Sequence, residues 1–311
     1  MMMRVVSLLP SATEIVAALG RGRQLVGVSH ACDHPSTVAS LARVTSCAID
    51  DAAAPGVVDA QVRALTGEGG ALYRLDEPLI RMLQPDLILT QALCTVCAVS
   101  EKDVRALAAR MMPEPAVVSL SATTLDGVWD DILRVARALS AHVEGERLVA
   151  QLRARLRTVH QALARARAPR PTVALLEWGD PLFIGGHWVP EMVRCAGGVD
   201  VLGVSGEHSR VVTLDDLAAA SPEIVVIAPC GYGLVAAVSQ ARRLFASPAR
   251  EFLESRSVWA VDANALVSRP GPRLADGVEV LARIFNPAIF SPLLSSTATR
   301  VHADTTATVE R

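Results

Sequence analysis

Cys94 and Cys97 stand three residues apart in QALCTVCAVS, directly after the apolar run PDLILT. Thiolates at this spacing suit Zn²⁺ or an iron–sulfur cluster, and Cys32, Cys47 or Cys230 would complete a soft sulfur site. The same pair ahead of a helix also suits a redox dithiol, because a helix N-terminus favours the thiolate. Ordinary reduced thiols are a third reading of the same residues. A single C-x-x-C carries no zinc-ribbon pattern, so spacing alone leaves all three open.

Other chemistry-bearing side chains fall near the same places in the pattern. His30, His34, His187 and His208 are further candidates, because imidazole is a good ligand for transition metals. Trp178, Phe183, Trp188 and Tyr232 could line an apolar slot, where aromatic rings give large contact area at small entropic cost. Ser11, Cys47 and Gln91 are candidate ligand contacts in the first half, and Glu177, Asp180 and Glu207 could accept from amide groups of a ligand. Arg269 and Arg273 flank a PGP and could fork onto an anionic group. No G-x-S-x-G, Walker loop or H-E-x-x-H is present, and the glycine pairs at 69–70, 185–186 and 197–198 do not form a dinucleotide fingerprint. The pattern therefore points to binding rather than catalysis. The rival reading is an enzyme with a cysteine-held metal or iron–sulfur centre that carries out redox or ligand-processing chemistry.

The elements that must position these residues follow from the hydrophobic pattern. Short apolar runs alternate with amphipathic stretches, which predicts a βα succession with mainly parallel sheets. Predicted strands are 4–9, 24–29, 86–91 and 116–121 in the first half, then 172–178, 223–230 and 258–263. Ser11 is the expected N-cap of the first helix. LIRMLQPDLILTQALC and LAAASPEIVVIAPCG run through the same order of features, a weak internal repeat. Between the halves, apolar residues keep helical spacing without a proline until Pro169, which predicts one long helix. The expected division is an N-terminal α/β lobe at 1–140, a connecting helix at 141–168, a C-terminal α/β lobe at 169–290 and a loose, Ser/Thr-rich tail at 291–311.

Composition narrows the partners. The chain has 311 residues, 51% of them apolar, and a formal charge of −2. That balance, without a dense Lys/Arg block, argues against nucleic acid. No apolar run reaches the ~20 residues of a membrane span, so no membrane insertion is expected. The opening MMMRVVSLLPSATE has no secretory h-region, which gives the expectation of a cytoplasmic protein.

RVVSLLPSATEIVAALG, QLVGVSHACDHP, PDLILT, the long helix, AGG and SRPGPRLADGVEVLA occur in that order over residues 3–287. In this the chain resembles the helical-backbone class of ABC-transporter substrate-binding proteins, most closely the vitamin B12-binding branch. The resemblance implies two Rossmann-like lobes joined by one long helix, with cobalamin, another corrinoid or a related metal chelate in the cleft between them. It also implies a small-molecule metal chelate and an ABC-transporter membrane subunit as partners. One acid on each lobe would engage that subunit, here Glu77 and Asp215, and His30 or His187 would face the chelated metal. The branch places tryptophans after the third and fourth strands, where this chain has Cys47 and about Gln91. Relatives of this class are extracytoplasmic.

Overall fold

The computed structural model describes residues 2–49, 53, 55–67, 71–92, 99–292 and 296–303. The chain forms two compact units, one of Met1–Ala122 with Asp126–Gln151, the other of Thr123–Leu125 with Leu152–Arg311.

The first unit contains strands β1 (Val5–Ser7), β2 (Leu25–Val28), β3 (Ala42–Arg43), β4 (Thr45–Cys47), β5 (Tyr73–Leu75), β6 (Leu87–Gln91) and β7 (Ala116–Leu120). Its helices are α1 (Pro10–Ala18), α2 (Pro55–Gly67), α3 (Glu77–Leu83), α4 (Glu101–Ala108) and α5 (Leu125–Ala138), followed by the start of α6 (His142–Ala166). Five strands form a parallel sheet in the order β3-β2-β1-β6-β7. Val5, Val6 and Ser7 are all buried, as are Leu87 to Thr90, because helices cover both faces of such a sheet and leave no solvent side to alternate toward. Val6, Leu8, Val44, Ile80, Ile88, Val104 and Leu107 form a core under α3 and α4. Helix α1 begins on Pro10 with Leu9 as its N-cap and no side-chain cap, so the expected cap Ser11 sits inside the first turn. Proline at this position has its φ pre-set for the helix and no orphan N–H to satisfy.

The short β4 and β5 pair antiparallel as a separate ribbon, with Cys47 opposite Tyr73. At the other edge, Asp131 of α5 is buried and accepts from the backbone N–H groups of Ser121 and Ala122 at 3.0 Å each while pairing with Arg134. This ties the exit of β7 to the helix that follows it.

The second unit contains β8 (Thr172–Gly179), β9 (Leu182–Ile184), β10 (Val199–Asp200), β11 (Arg210–Val211), β12 (Ile224–Ile227), β13 (Ser257–Val261) and β14 (Ala298–Arg300). Its helices are the rest of α6, α7 (Val189–Cys195), α8 (Leu214–Ala220), α9 (Leu234–Phe245), α10 (Arg250–Glu254), α11 (Ala263–Leu266) and α12 (Leu274–Phe285). The sheet runs β11-β9-β8-β12-β13-β14, with β10 beside β8. Its centre is parallel, while β9, β11 and β14 run antiparallel at the sides. Strand β14 lies in the stretch expected as a loose tail. Three residues are too few to show a period, and their order comes from pairing with β13.

Helix α6 is unbroken over 25 residues, which at 1.5 Å per residue makes about 37 Å. In the second unit it is fastened by Arg155, which meets Glu279 of α12 at 2.8 Å and also pairs with Asp276.

Candidate functional site

In parallel α/β sheets, ligands approach the loops at the carboxyl ends of the strands. In the first unit these loops follow β1, β2 and β6. Beyond β2, Cys32 is 1% exposed, and its sulfur lies 3.2 Å from Thr13 Oγ1 and 3.3 Å from Ser29 Oγ. Thr13 in turn donates to Ser7 Oγ at 2.8 Å. The Arg43 guanidinium closes the turn by donating to the carbonyls of Ser29 and Cys32. Cys32 is thus a buried thiol in a hydroxyl network that holds the β2 exit against α1.

His30 stands beside this turn. Its Nδ1 lies 2.7 Å from Thr45 Oγ1, its backbone N–H donates to the same oxygen at 3.0 Å, and its ring stacks on Tyr73 with centroids 5.5 Å apart. His34 follows on the same loop and is exposed. Ser11 is 2% exposed in the first turn of α1. Cys47 and Gln91 are partly buried at the ends of β4 and β6. Cys94 and Cys97 lie outside the described residues.

In the second unit, β8 delivers Glu177 and Trp178, the β9 exit delivers His187 and Trp188, and the β12 exit delivers Cys230 and Tyr232. Trp178 and Tyr232 are both partly exposed, with ring centroids 5.5 Å apart, and Trp178 is steadied by donating its indole N–H to Asp180 O at 3.0 Å. Phe183 is opposite Trp178 across the β8–β9 pair. Trp188 behaves differently. It is 6% exposed and donates its indole N–H to Val267 O at 2.8 Å, so it is a core residue that anchors the start of α7. That corrects its expected place in a slot wall. Arg269, at 8% exposed, is likewise enclosed rather than offered to a ligand.

The loop of residues 205–209 is stitched to these exits. Ser209 Oγ donates to Glu177 Oε2 at 2.5 Å, His208 Nδ1 lies 3.1 Å from His187 Nε2, and Ser205 Oγ donates to Glu191 Oε1 at 2.9 Å. Backbone bonds run both ways, His187 N–H to Glu207 O at 2.6 Å and Gly206 N–H to His187 O at 2.9 Å. A Cβ on Gly186 would stand 2.4–2.6 Å from backbone atoms of Glu207, His208 and Ser209, so only glycine admits the loop this closely. Burial, with the Asp200 carboxylate adding to it against the Ser209 hydrogen bond, pushes Glu177 up to about 7. Burial, and then the second ring, pushes His187 down. Neither effect has a signature in the one-letter sequence, because both depend on a loop about twenty to thirty residues away.

Among the described residues no three His, Cys, Asp or Glu side chains gather as a metal site, so the expected cysteine cluster is not formed by them. Cys230 is exposed on the β12 exit, whereas Cys195 ends α7 partly buried. Of the two acids expected to face a membrane subunit, Asp215 is exposed in the first turn of α8. Glu77 pairs with Arg81 at 3.4 Å and Arg110 at 3.1 Å. No helix among the described residues is long and apolar enough to cross a membrane.

Residues 5–265 match the family described as periplasmic binding protein, and the chain belongs to that family. It is 24% identical over 277 residues to a vitamin B12-binding protein of Vibrio cholerae, covering 89% of this chain and 86% of that one. Among solved structures it resembles a periplasmic heme-binding protein from Pseudomonas aeruginosa, with TM-score 0.72 and 23% identity over 96% of this chain and 98% of the other. It also resembles the periplasmic vitamin B12-binding protein of V. cholerae, with TM-score 0.62 and 22% identity over 91% and 96%. The two-lobed α/β fold is therefore that of periplasmic binding proteins. Family members bind substrates and are not enzymes, so the reading as a metal or iron–sulfur enzyme finds no support. Membership also overturns the expectation of a cytoplasmic protein, since the family is periplasmic.

Proposed function

Proceeding from membership of the periplasmic binding protein family, we propose that this chain is a transporter's substrate-binding component whose cargo is a metal chelate of the corrinoid class. The observation that carries this reading is the Trp178–Tyr232 pair. Two partly exposed aromatic rings from the exits of β8 and β12 offer an apolar face with little conformational entropy to lose, which suits the flank of a macrocycle. The loops around them carry hydrogen-bonding groups such as Ser209, His187 and His208, which suit the amide side chains of a corrinoid. The vitamin B12-binding relative supports the same class.

Heme is the second reading, favoured by the TM-score of 0.72 to a heme-binding structure. In either case His30 or His187 is the imidazole proposed to face the chelated metal. Delivery to an ABC-transporter membrane subunit follows, with Asp215 as the docking acid, because Glu77 is already taken up by two arginines.

Calorimetric titration of the purified chain with cobalamin and, separately, with hemin tests the proposal. Saturable one-to-one binding of cobalamin, tighter than that of hemin, is expected. Preference for hemin would move the ligand to the second reading, and failure to bind either would overturn both.

A further inference from the structure

His187 Nε2 and His208 Nδ1 are 3.1 Å apart, with their rings at 87°. Two imidazole nitrogens bound to one ion at about 2.0–2.1 Å, with an angle between those of octahedral and tetrahedral sites, are separated by about 2.9–3.3 Å. We propose that His187 and His208 form a two-imidazole site for a free divalent transition-metal ion of the Zn²⁺, Ni²⁺ or Cu²⁺ type.

The pair is assembled before any ion arrives. His187 is held at φ 51°, between the hydrogen bond its N–H donates to Glu207 O and the one its carbonyl accepts from Gly206 N–H. Gly186 lets the His208 loop approach to a distance that no side chain would permit. Preorganisation of this kind removes much of the ordering cost that a pair of surface histidines would otherwise meet on binding.

In the metal-free pair, one ring donates a proton from its facing nitrogen to the other. Binding breaks that N–H bond and forms one on the far nitrogen of the same ring, with solvent carrying the proton. Both facing lone pairs then reach the ion. No net proton is released and no electron moves. The remaining positions on the ion are filled by water or by a donor atom of a second ligand. The class of ion follows from imidazole preference, which excludes Ca²⁺ and Mg²⁺.

The test uses the full chain without an affinity tag and without any chelate, so its outcome is independent of the cobalamin reading. Calorimetry with Zn²⁺ and with Ni²⁺ should show one saturable site, weakened at least tenfold in His187→Asn and in His208→Ala. Asparagine is chosen at 187 because it tolerates positive φ. Cys230→Ser should leave the affinity unchanged, and thermal melts should show that the variants are folded. Electron paramagnetic resonance of the Cu²⁺ form should show hyperfine coupling to two imidazole nitrogens. Absence of saturable binding, unchanged affinity in both histidine variants, or loss of binding in Cys230→Ser would overturn the assignment.

Discussion

Ser209 donates its hydroxyl to the partly buried Glu177 carboxyl across 2.5 Å, joining the 205–209 loop to the end of β8. The pairing lets stability report on protonation. Glu177 titrates at about 7 in the folded chain against an ordinary 4.5, burial being the main cause. Between those values the folded protein holds a proton that the unfolded chain has lost. The associated stability is complete below pH 4.5 and declines as pH rises through about 7, by up to roughly 3 kcal/mol. Glu177→Gln should lack this slope. Chemical denaturation of both proteins from pH 4.5 to 8 measures it, and parallel profiles would contradict the assignment.

Trp188 and Trp178 should separate stability from binding. Trp188→Ala removes a core ring and leaves the Val267 carbonyl without its donor, so a loss of about 3–5 kcal/mol is expected. Denaturant midpoints check this. A loss below about 1 kcal/mol would return Trp188 to the surface.

The two thiols at the exits of β2 and β12 should differ in reactivity. Cys230 is exposed, while Cys32 is enclosed with Thr13 and Ser29. Brief alkylation of the native protein followed by peptide mass spectrometry should find Cys230 modified and Cys32 protected until denaturant is added. Equal labelling would show that the hydroxyl network is open.

Asp131 serves the first unit in a similar way. Its carboxylate accepts from two backbone N–H groups and pairs with Arg134 while almost wholly buried. Asp131→Ala should lower stability by about 2–4 kcal/mol, seen as a fall in melting temperature. A neutral effect would show that water replaces the carboxylate at the end of β7.

Much of the fold was legible because its signals are local. The runs at 86–91 and 116–121 became Leu87–Gln91 and Ala116–Leu120, and the long periodic stretch became His142–Ala166. Elements fixed by long-range pairing were not legible. Strands β10, β11 and β14 have two or three residues each and exist because β8, β9 and β13 lie beside them. The site was legible only as loop positions. Sequence placed Trp178 and Trp188 alike, yet one stays partly exposed while the other sinks beside Val267. Cys32 looked like a ligand because it follows a strand, but its partners Thr13 and Ser29 come from helix α1 and the β2 exit. The His187–His208 approach rests on Gly186, whose role emerges only when residues twenty apart are folded against it.

The central claim is that the aromatic pair on the second unit's strand exits grips a corrinoid. Equilibrium dialysis with cobalamin, comparing the wild-type chain with the Trp178→Ala, Tyr232→Ala double variant at equal folded fraction, measures this directly. Affinity weakened by about 10- to 100-fold is the result expected of two contact aromatics. An unchanged dissociation constant in the double variant would contradict the account.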